Sequence, residues 1–188
     1  MDYQEKIIKS KYLYQGRIVN LRIDQVELAN NKQAEREVIE HSGGVCALAK
    51  TADNKIFFVR QYRIPYQENL LELPAGKIDE EESPEDAILR ELKEEVGVVP
   101  KSIQKIGIMY PSPGYTNEVI HLYYTDDFLM VSNDLDEDEF LEVVLIDADK
   151  VDQLIDQEKI VDAKSLILLL RLARKLSNRE LTSKPSKK

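Results

Sequence analysis

Apolar and polar residues alternate at the strand period in much of this chain. From Ile18, IVNLRIDQVEL alternates along its length, and the turn cluster ANNKQ separates it from a second run, REVIEH. Residues 1–41 thus predict several short strands. They are polar on one face, so they need a partner surface, either the rest of the chain or a second copy of it. GGVCALAKT and KIFFVRQYR flank ADN and predict a hairpin. LLELPAG predicts a short strand ended by Pro74 and Gly76. IQKIGIMY and HLYYTDDFLM predict further strands, divided by the loop PSPGYTNE, and LEVVLID follows the acidic loop DLDEDEF.

The helical period enters at Ile88, Leu92 and Val96, four residues apart. Ser83 is a good N-cap, Pro84 suits the first helical position, and Asp86 is placed to return the capping bond. Gly97 and Pro100 end the pattern, so a helix is expected over 84–96. VDQLIDQ predicts a short helix. DAKSLILLLRLARKL predicts a longer one, capped by Asp162 and basic in its last turns. SNRELTSKPSKK reads as a frayed tail. The sum is an α/β fold, a mixed sheet flanked by helices. The expected organisation is an N-terminal β-region (1–41), a main domain (42–177) and a tail (178–188).

Composition narrows the function. The 188 residues suffice for one ordinary domain, and 43% are apolar. A net charge of −9 argues against general nucleic-acid binding, which needs a basic face, but leaves room for a small phosphorylated substrate. The single cysteine, Cys46 in VCALA, excludes a disulfide framework and a cysteine zinc site, and reads as core. Only two histidines, His41 and His121, are present. The N-terminal residues lack the apolar run of a signal peptide, and LILLL is too short to span a bilayer, so the cytoplasm is the expected location.

The helix over 84–96 carries an unusual charge pattern. Glu91 and Glu95 lie four residues apart, Glu94 lies beside them, and Glu82 precedes the first turn near the same face. Like charges at this spacing each cost a few tenths of a kcal/mol. Arg90 can pair with Glu94 but cannot neutralise all three. A divalent cation with oxygen ligands would, and Mg²⁺ keeps water and phosphate as its remaining ligands. The alternative is a solvated acidic face.

The spacing decides between them. Gly76, five residues, Glu82, seven residues, Arg90-Glu91-Leu92, one residue, Glu94-Glu95, one residue and Gly97-Val98 resembles the complete box of the Nudix hydrolases, without a departure. The resemblance implies the Nudix fold and cleavage of a nucleoside diphosphate linked to another group. It implies Glu91 and Glu95 as metal ligands, Glu94 assisting, the Ala75 carbonyl as a further ligand, and Arg90 orienting the glutamates. Two or three Mg²⁺ ions per site are expected, with Mn²⁺ as the alternative.

Features outside the box resemble the ADP-ribose pyrophosphatases of that family. They are VRQYRIPYQENLLELPAGKID before the box, PSPGYTNE after it, with Pro113 fifteen residues past Val98, the acidic DEDEFLEV, and REVIEH. The implied reaction converts ADP-ribose to AMP and ribose 5-phosphate. Glu139 is implied as a ligand and Glu137 as the base, with Asp134, Asp136 and Asp138 as adjacent alternatives. Arg36, Arg63 and Lys77 are candidates for phosphate or substrate, against surface ion pairs for the two arginines. Ser112, Gly114 and Glu118 are candidates from the PSPGYTNE loop, against a plain turn and an exposed acid. With no Trp in the chain, tyrosines or Ile18 would have to hold adenine. In the resembled family the N-terminal strands are exchanged between subunits, so a homodimer is expected. Nucleotide sugars, NADH and dinucleoside polyphosphates are the alternative substrates. A nucleotide sensor without turnover is the alternative of another class.

Overall fold

The computed structural model describes residues 3–133 and 140–183, with side chains as far as Lys175. The chain divides into two compact units, residues 1–43 with 110–119, and residues 44–109 with 120–188.

The first unit is an antiparallel meander of β1 (Lys6–Gln15), β2 (Asn20–Glu27) and β3 (Gln33–Glu40), in that spatial order. The alternation read from Ile18 places Asp24 and Val26 of β2 inside. Asp24 is kept ionised by Arg22, whose Nε donates to it at 2.8 and 3.0 Å and holds its carboxyl below the ordinary range. All ten residues of β1 are exposed. The segment 110–119 runs beside β3: the Ile39 amide donates to the Tyr115 carbonyl at 2.7 Å, and the Asn117 amide to the Ile39 carbonyl at 3.2 Å.

The second unit contains β4 (Gly44–Ala49), β5 (Lys55–Arg63), β6 (Glu68–Glu72), β7 (Ala75–Lys77), α1 (Pro84–Val96) and β8 (Val98–Pro100). It continues through β9 (Gln104–Met109), β10 (Ile120–Thr125), β11 (Phe128–Met130), β12 (Leu141–Asp147), a 3₁₀ turn (Ala148–Lys150), α2 (Val151–Asp156) and α3 (Ala163–Ser183). Its main sheet is mixed, in the order β7-β4-β10-β9, with β4 and β10 parallel. A second, antiparallel sheet has the order β12-β5-β6, and β8 pairs with β11.

Three sequence expectations need correction. The Thr51–Lys55 turn forms, with the Thr51 amide donating to the Lys55 carbonyl at 2.8 Å, but β4 and β5 do not continue as a hairpin. Every residue of β4 is buried. Such a strand needs neighbours and cover on all sides, and β7 and β10 take both its edges. HLYYTDDFLM is not one strand: Asp126 and Asp127 separate β10 from β11. The last helix continues to Ser183, through residues assigned to the tail.

The core lies on both faces of these sheets. Val45, Ala47, Phe57 and Val59 pack with Ile88, Leu92 and Val96 of α1. The alternate residues Cys46, Leu48, Ile56 and Phe58 pack with Leu168 and Leu169 of α3. Each large side chain so buried contributes about 2 kcal/mol. Cys46 is a core residue, and burial pushes its thiol pKa up. The mixed sheet between helices therefore stands, with α1 on one side and α2 and α3 on the other.

Candidate active site

The box helix begins and ends where its caps place it. The Ser83 hydroxyl accepts from the Asp86 amide at 3.1 Å and donates to the Asp86 carboxylate at 2.6 Å. Gly97 takes the left-handed conformation at φ 66°, and a Cβ there would meet the Val131 carbonyl at 2.3 Å. Packing of Ile88, Leu92 and Val96 against the sheet turns the adjoining edge, with Glu91 and Glu95, inward. They remain only 7% and 2% exposed.

Arg90 organises the acids. Each of its five N–H groups has an acceptor. Nε and Nη2 grip both oxygens of Glu82 at 2.9 and 3.0 Å, and Nη2 also reaches the Lys77 carbonyl at 3.1 Å. Nη1 reaches Glu91 at 2.7 Å and Glu94 at 3.1 Å. The guanidinium pKa is raised, chiefly by Glu82, and Arg90 in turn holds the Glu82 carboxyl below its ordinary range. Arg90 thus touches Glu82, Glu91 and Glu94 at once, together with the Lys77 carbonyl.

Backbone from the box loop meets the same carboxylates. The Ala75 amide donates to Glu95 at 3.0 Å. A Cβ on Gly76 would lie 1.9 Å from the Glu91 carboxylate carbon, so only glycine permits this approach. Gly76 pairs with Val45, and Val45 with His121, across the main sheet. The buried Nδ1 of His121 has no hydrogen-bond partner among the described residues. The Lys77 ammonium lies 3.5 Å from Asp79.

One element was missed in the sequence. Glu72, 2% exposed, receives Arg63 through Nε at 2.7 Å and Nη2 at 2.9 Å. It is also bonded by the Lys164 ammonium, which lies 3.0 Å from Asp162. Burial pushes the Glu72 carboxyl up, but the two cations outweigh it and hold the pKa at about 2. Arg63 therefore faces a buried carboxylate, neither wholly free for phosphate nor in the surface pair weighed as its alternative. The signal for this lay in Asp162 and Ser165, a recognisable cap pair. Nothing in the sequence places them beside Glu72.

The substrate candidates other than Arg63 and Lys77 belong to the first unit. Arg36 forks onto Glu5 at 2.9 and 2.7 Å. Ser112 accepts from the Tyr115 and Thr116 amides at 3.2 Å each, which is the turn weighed for it, and Gly114 has open space where a Cβ would be. Glu118 lies 3.8 Å from His41, whose amide donates to Asn117 at 2.8 Å. Ile18 is exposed in the β1–β2 connection. Glu137 and Glu139 lie outside the described residues, as do Asp134, Asp136 and Asp138.

Among the described residues no three acidic, histidine or cysteine side chains are already gathered as a metal cluster. The donors nevertheless fit a hard divalent cation. Glu91 and Glu95 are buried carboxylates one helical turn apart, and the side-chain-free Gly76 lets backbone lie close against Glu91.

Family comparison agrees with the geometry. The NUDIX domain profile matches residues 40–169, more than half the chain. This chain belongs to the Nudix family. Residues 5–39 match the nucleoside diphosphate sugar hydrolase N-terminal domain. The chain is similar to an ADP-ribose pyrophosphatase of Bacillus subtilis (strain 168), with 37% identity over 86% of this chain and 89% of the other. It is also similar to a methanol dehydrogenase activator of Bacillus methanolicus, with 38% identity over 88% and 90% of the two chains. A solved structure titled ADP compounds hydrolase superposes with a TM-score of 0.83 over 95% of this chain and 98% of that one. At 20% identity it shows the fold. Nudix hydrolases generally require a divalent cation, and a nucleotide substrate suits this Nudix chain. Among the described residues no helix is long and apolar enough to cross a membrane.

Proposed function

We propose that this Nudix hydrolase cleaves the diphosphate of ADP-ribose with Mg²⁺, giving AMP and ribose 5-phosphate. The observation that carries the chemistry is the pair of buried carboxylates, Glu91 and Glu95, held by Arg90 and by the Ala75 amide. The substrate rests on the similarity to the Bacillus subtilis enzyme over most of both chains.

Glu91, Glu95, Glu139 and the Ala75 carbonyl would hold two or three ions, with Mn²⁺ as a substitute. Bound there, the cation supplies charge neutralisation of the diphosphate and a lowered pKa for the attacking water. Glu94 assists the ligand pair. Glu137 takes the proton as water adds to phosphorus and the P–O–P bond breaks. Arg36, Arg63 and Lys77 neutralise substrate phosphate, the first two by exchanging part of their present pairing. Ser112, Gly114 and Glu118 bind from the PSPGYTNE loop, and Ile18 packs on adenine. The working form is a homodimer, to which β1 contributes its exposed face, and the location is the cytoplasm.

Hydrolysis of ADP-ribose, ADP-glucose, NADH and diadenosine tetraphosphate, each with and without Mg²⁺, tests this reading, with Glu95→Gln as control. The expected result is Mg²⁺-dependent AMP release, strongest with ADP-ribose and lost in the variant. A second reading, a nucleotide-sugar hydrolase, is favoured by the domain type matched at residues 5–39 and predicts ADP-glucose as the better substrate. Nucleotide binding with no turnover in saturating Mg²⁺ would instead make the chain a sensor.

A further inference from the structure

We propose that Lys164, in the first turn of α3, is a positioning residue of the Nudix site. Through Glu72 it sets the Arg63 guanidinium, and with Ser165 it fixes the backbone entering the box. This rests on the reading of the chain as a metal-dependent diphosphatase.

Lys164 lies outside the box and 92 residues from Glu72, yet its ammonium bonds that buried carboxylate directly. Glu72 in turn receives two N–H groups of Arg63. The next residue along the chain is held from the same helix. The Leu73 amide donates to the Ser165 hydroxyl at 2.8 Å, and that hydroxyl donates to Asp162 at 2.6 Å. The Pro74 carbonyl accepts from the Ala47 amide at 3.0 Å, and the Ala75 amide donates to Glu95 at 3.0 Å. Leu73, Pro74 and Ala75 are each pinned, and the last pin is a carboxylate of the cation site. Leu73 is two residues and Glu72 three residues from the Ala75 amide that holds Glu95, so a shift of the chain at either reaches that carboxylate.

Stability alone is a poor reason for this arrangement. Two cations, Arg63 and Lys164, face two carboxylates, Glu72 and Asp162; Glu72 is fully buried, Lys164 and Asp162 nearly so, and Arg63 reaches solvent. Taking the buried members out of water is costly, and apolar residues of similar volume are often equally stable or more so. What an apolar cluster cannot supply is a fixed direction for the Arg63 fork and for the Leu73 amide.

The test uses the full chain, with Mn²⁺ as the probe, titrated by electron paramagnetic resonance, beside KM and kcat for the substrate the wild type turns over best. Lys164→Met is expected to weaken Mn²⁺ binding about tenfold, the usual scale for lost support of a metal ligand. It is also expected to raise KM several-fold through Arg63. Lys164→Arg, which keeps the charge, should recover part of both. Ser165→Ala removes only the Leu73 pin and should weaken Mn²⁺ binding with less effect on KM. Wild-type Mn²⁺ affinity and KM in Lys164→Met and Ser165→Ala, with nothing changed but the melting temperature, would overturn the proposal. If Lys164→Met does not fold, the Arg and Ser165 variants decide in the same way. A wild type that binds Mn²⁺ but hydrolyses no nucleoside diphosphate derivative would sink the proposed function. Weakened Mn²⁺ binding in the variants would then still uphold the positioning role.

Discussion

Gly76 and Glu91 are in such close approach that the smallest side chain at position 76 would lie 1.9 Å from the carboxylate carbon. The obstacle is the far end of a glutamate, not backbone, so Gly76→Ala should fold with Glu91 displaced. Misplacement of a reacting group by about 1 Å can cost roughly a hundredfold in rate. The variant is expected to lose activity on that scale while its melting temperature stays within a few degrees of wild type. Activity near the wild-type level would show that Glu91 need not occupy its present position.

Arg90→Lys keeps the charge and removes the fork. A lysine ammonium has three donors on a flexible stem and cannot span Glu82, Glu91, Glu94 and the Lys77 carbonyl together. Activity should fall about 10- to 100-fold. The concentration of Mg²⁺ giving half-maximal rate should rise, because Glu91 and Glu94 lose their orientation. An unchanged Mg²⁺ dependence would mean that Arg90 supports the helix rather than the carboxylates.

The Glu72 cluster predicts a pH dependence of stability. The folded pKa, about 2, lies below the ordinary 4.5, so the stabilisation is present above pH 4.5 and is lost as pH falls toward 2. Glu72→Gln removes it at all pH values. The stability difference between wild type and variant should be largest near neutrality, and about 2 kcal/mol of it should disappear between pH 5 and pH 3. Urea unfolding at several pH values reads this directly. A difference independent of pH would mean that Glu72 acts through shape and not through charge.

The box helix was legible because everything that defines it is local. Ser83, Pro84, Asp86 and Gly97 mark its ends, and the spacing of Ile88, Leu92 and Val96 sets its buried face. The short helix at 151–156 and the Asp162 cap were legible for the same reason, since the Asp162 carboxylate accepts from the Ser165 amide at 3.0 Å. Strand partners were not, because pairing is decided between distant segments. β4 and β5 meet at a real turn yet join different sheets, a choice made by β7 and β10, far along the chain. The site divided along the same line. The acids of one helix and their arginine were readable from spacing. The meeting of Arg63 and Lys164 on Glu72 depends on a helix that begins 91 residues after Glu72 and was not.

The N-terminal strand supplies the last prediction. β1 pairs with β2 along one edge, and its apolar residues Ile7, Ile8, Tyr12, Leu13 and Tyr14 are all exposed. An exposed apolar edge strand is an aggregation hazard unless something covers it, and a second copy of the same chain is the partner proposed here. Sedimentation equilibrium should then give a mass twice 21.7 kDa at micromolar concentration. Ile7→Glu combined with Leu13→Glu places charge near both ends of that strand and should shift the equilibrium toward single chains, because burying an unpaired carboxylate costs several kcal/mol. If Ile18 reaches adenine from a partner's strand region, the same double variant should raise KM at protein concentrations where it is monomeric, and raising the concentration should restore it. A wild type that is monomeric and fully active would remove both the dimer and this role for Ile18.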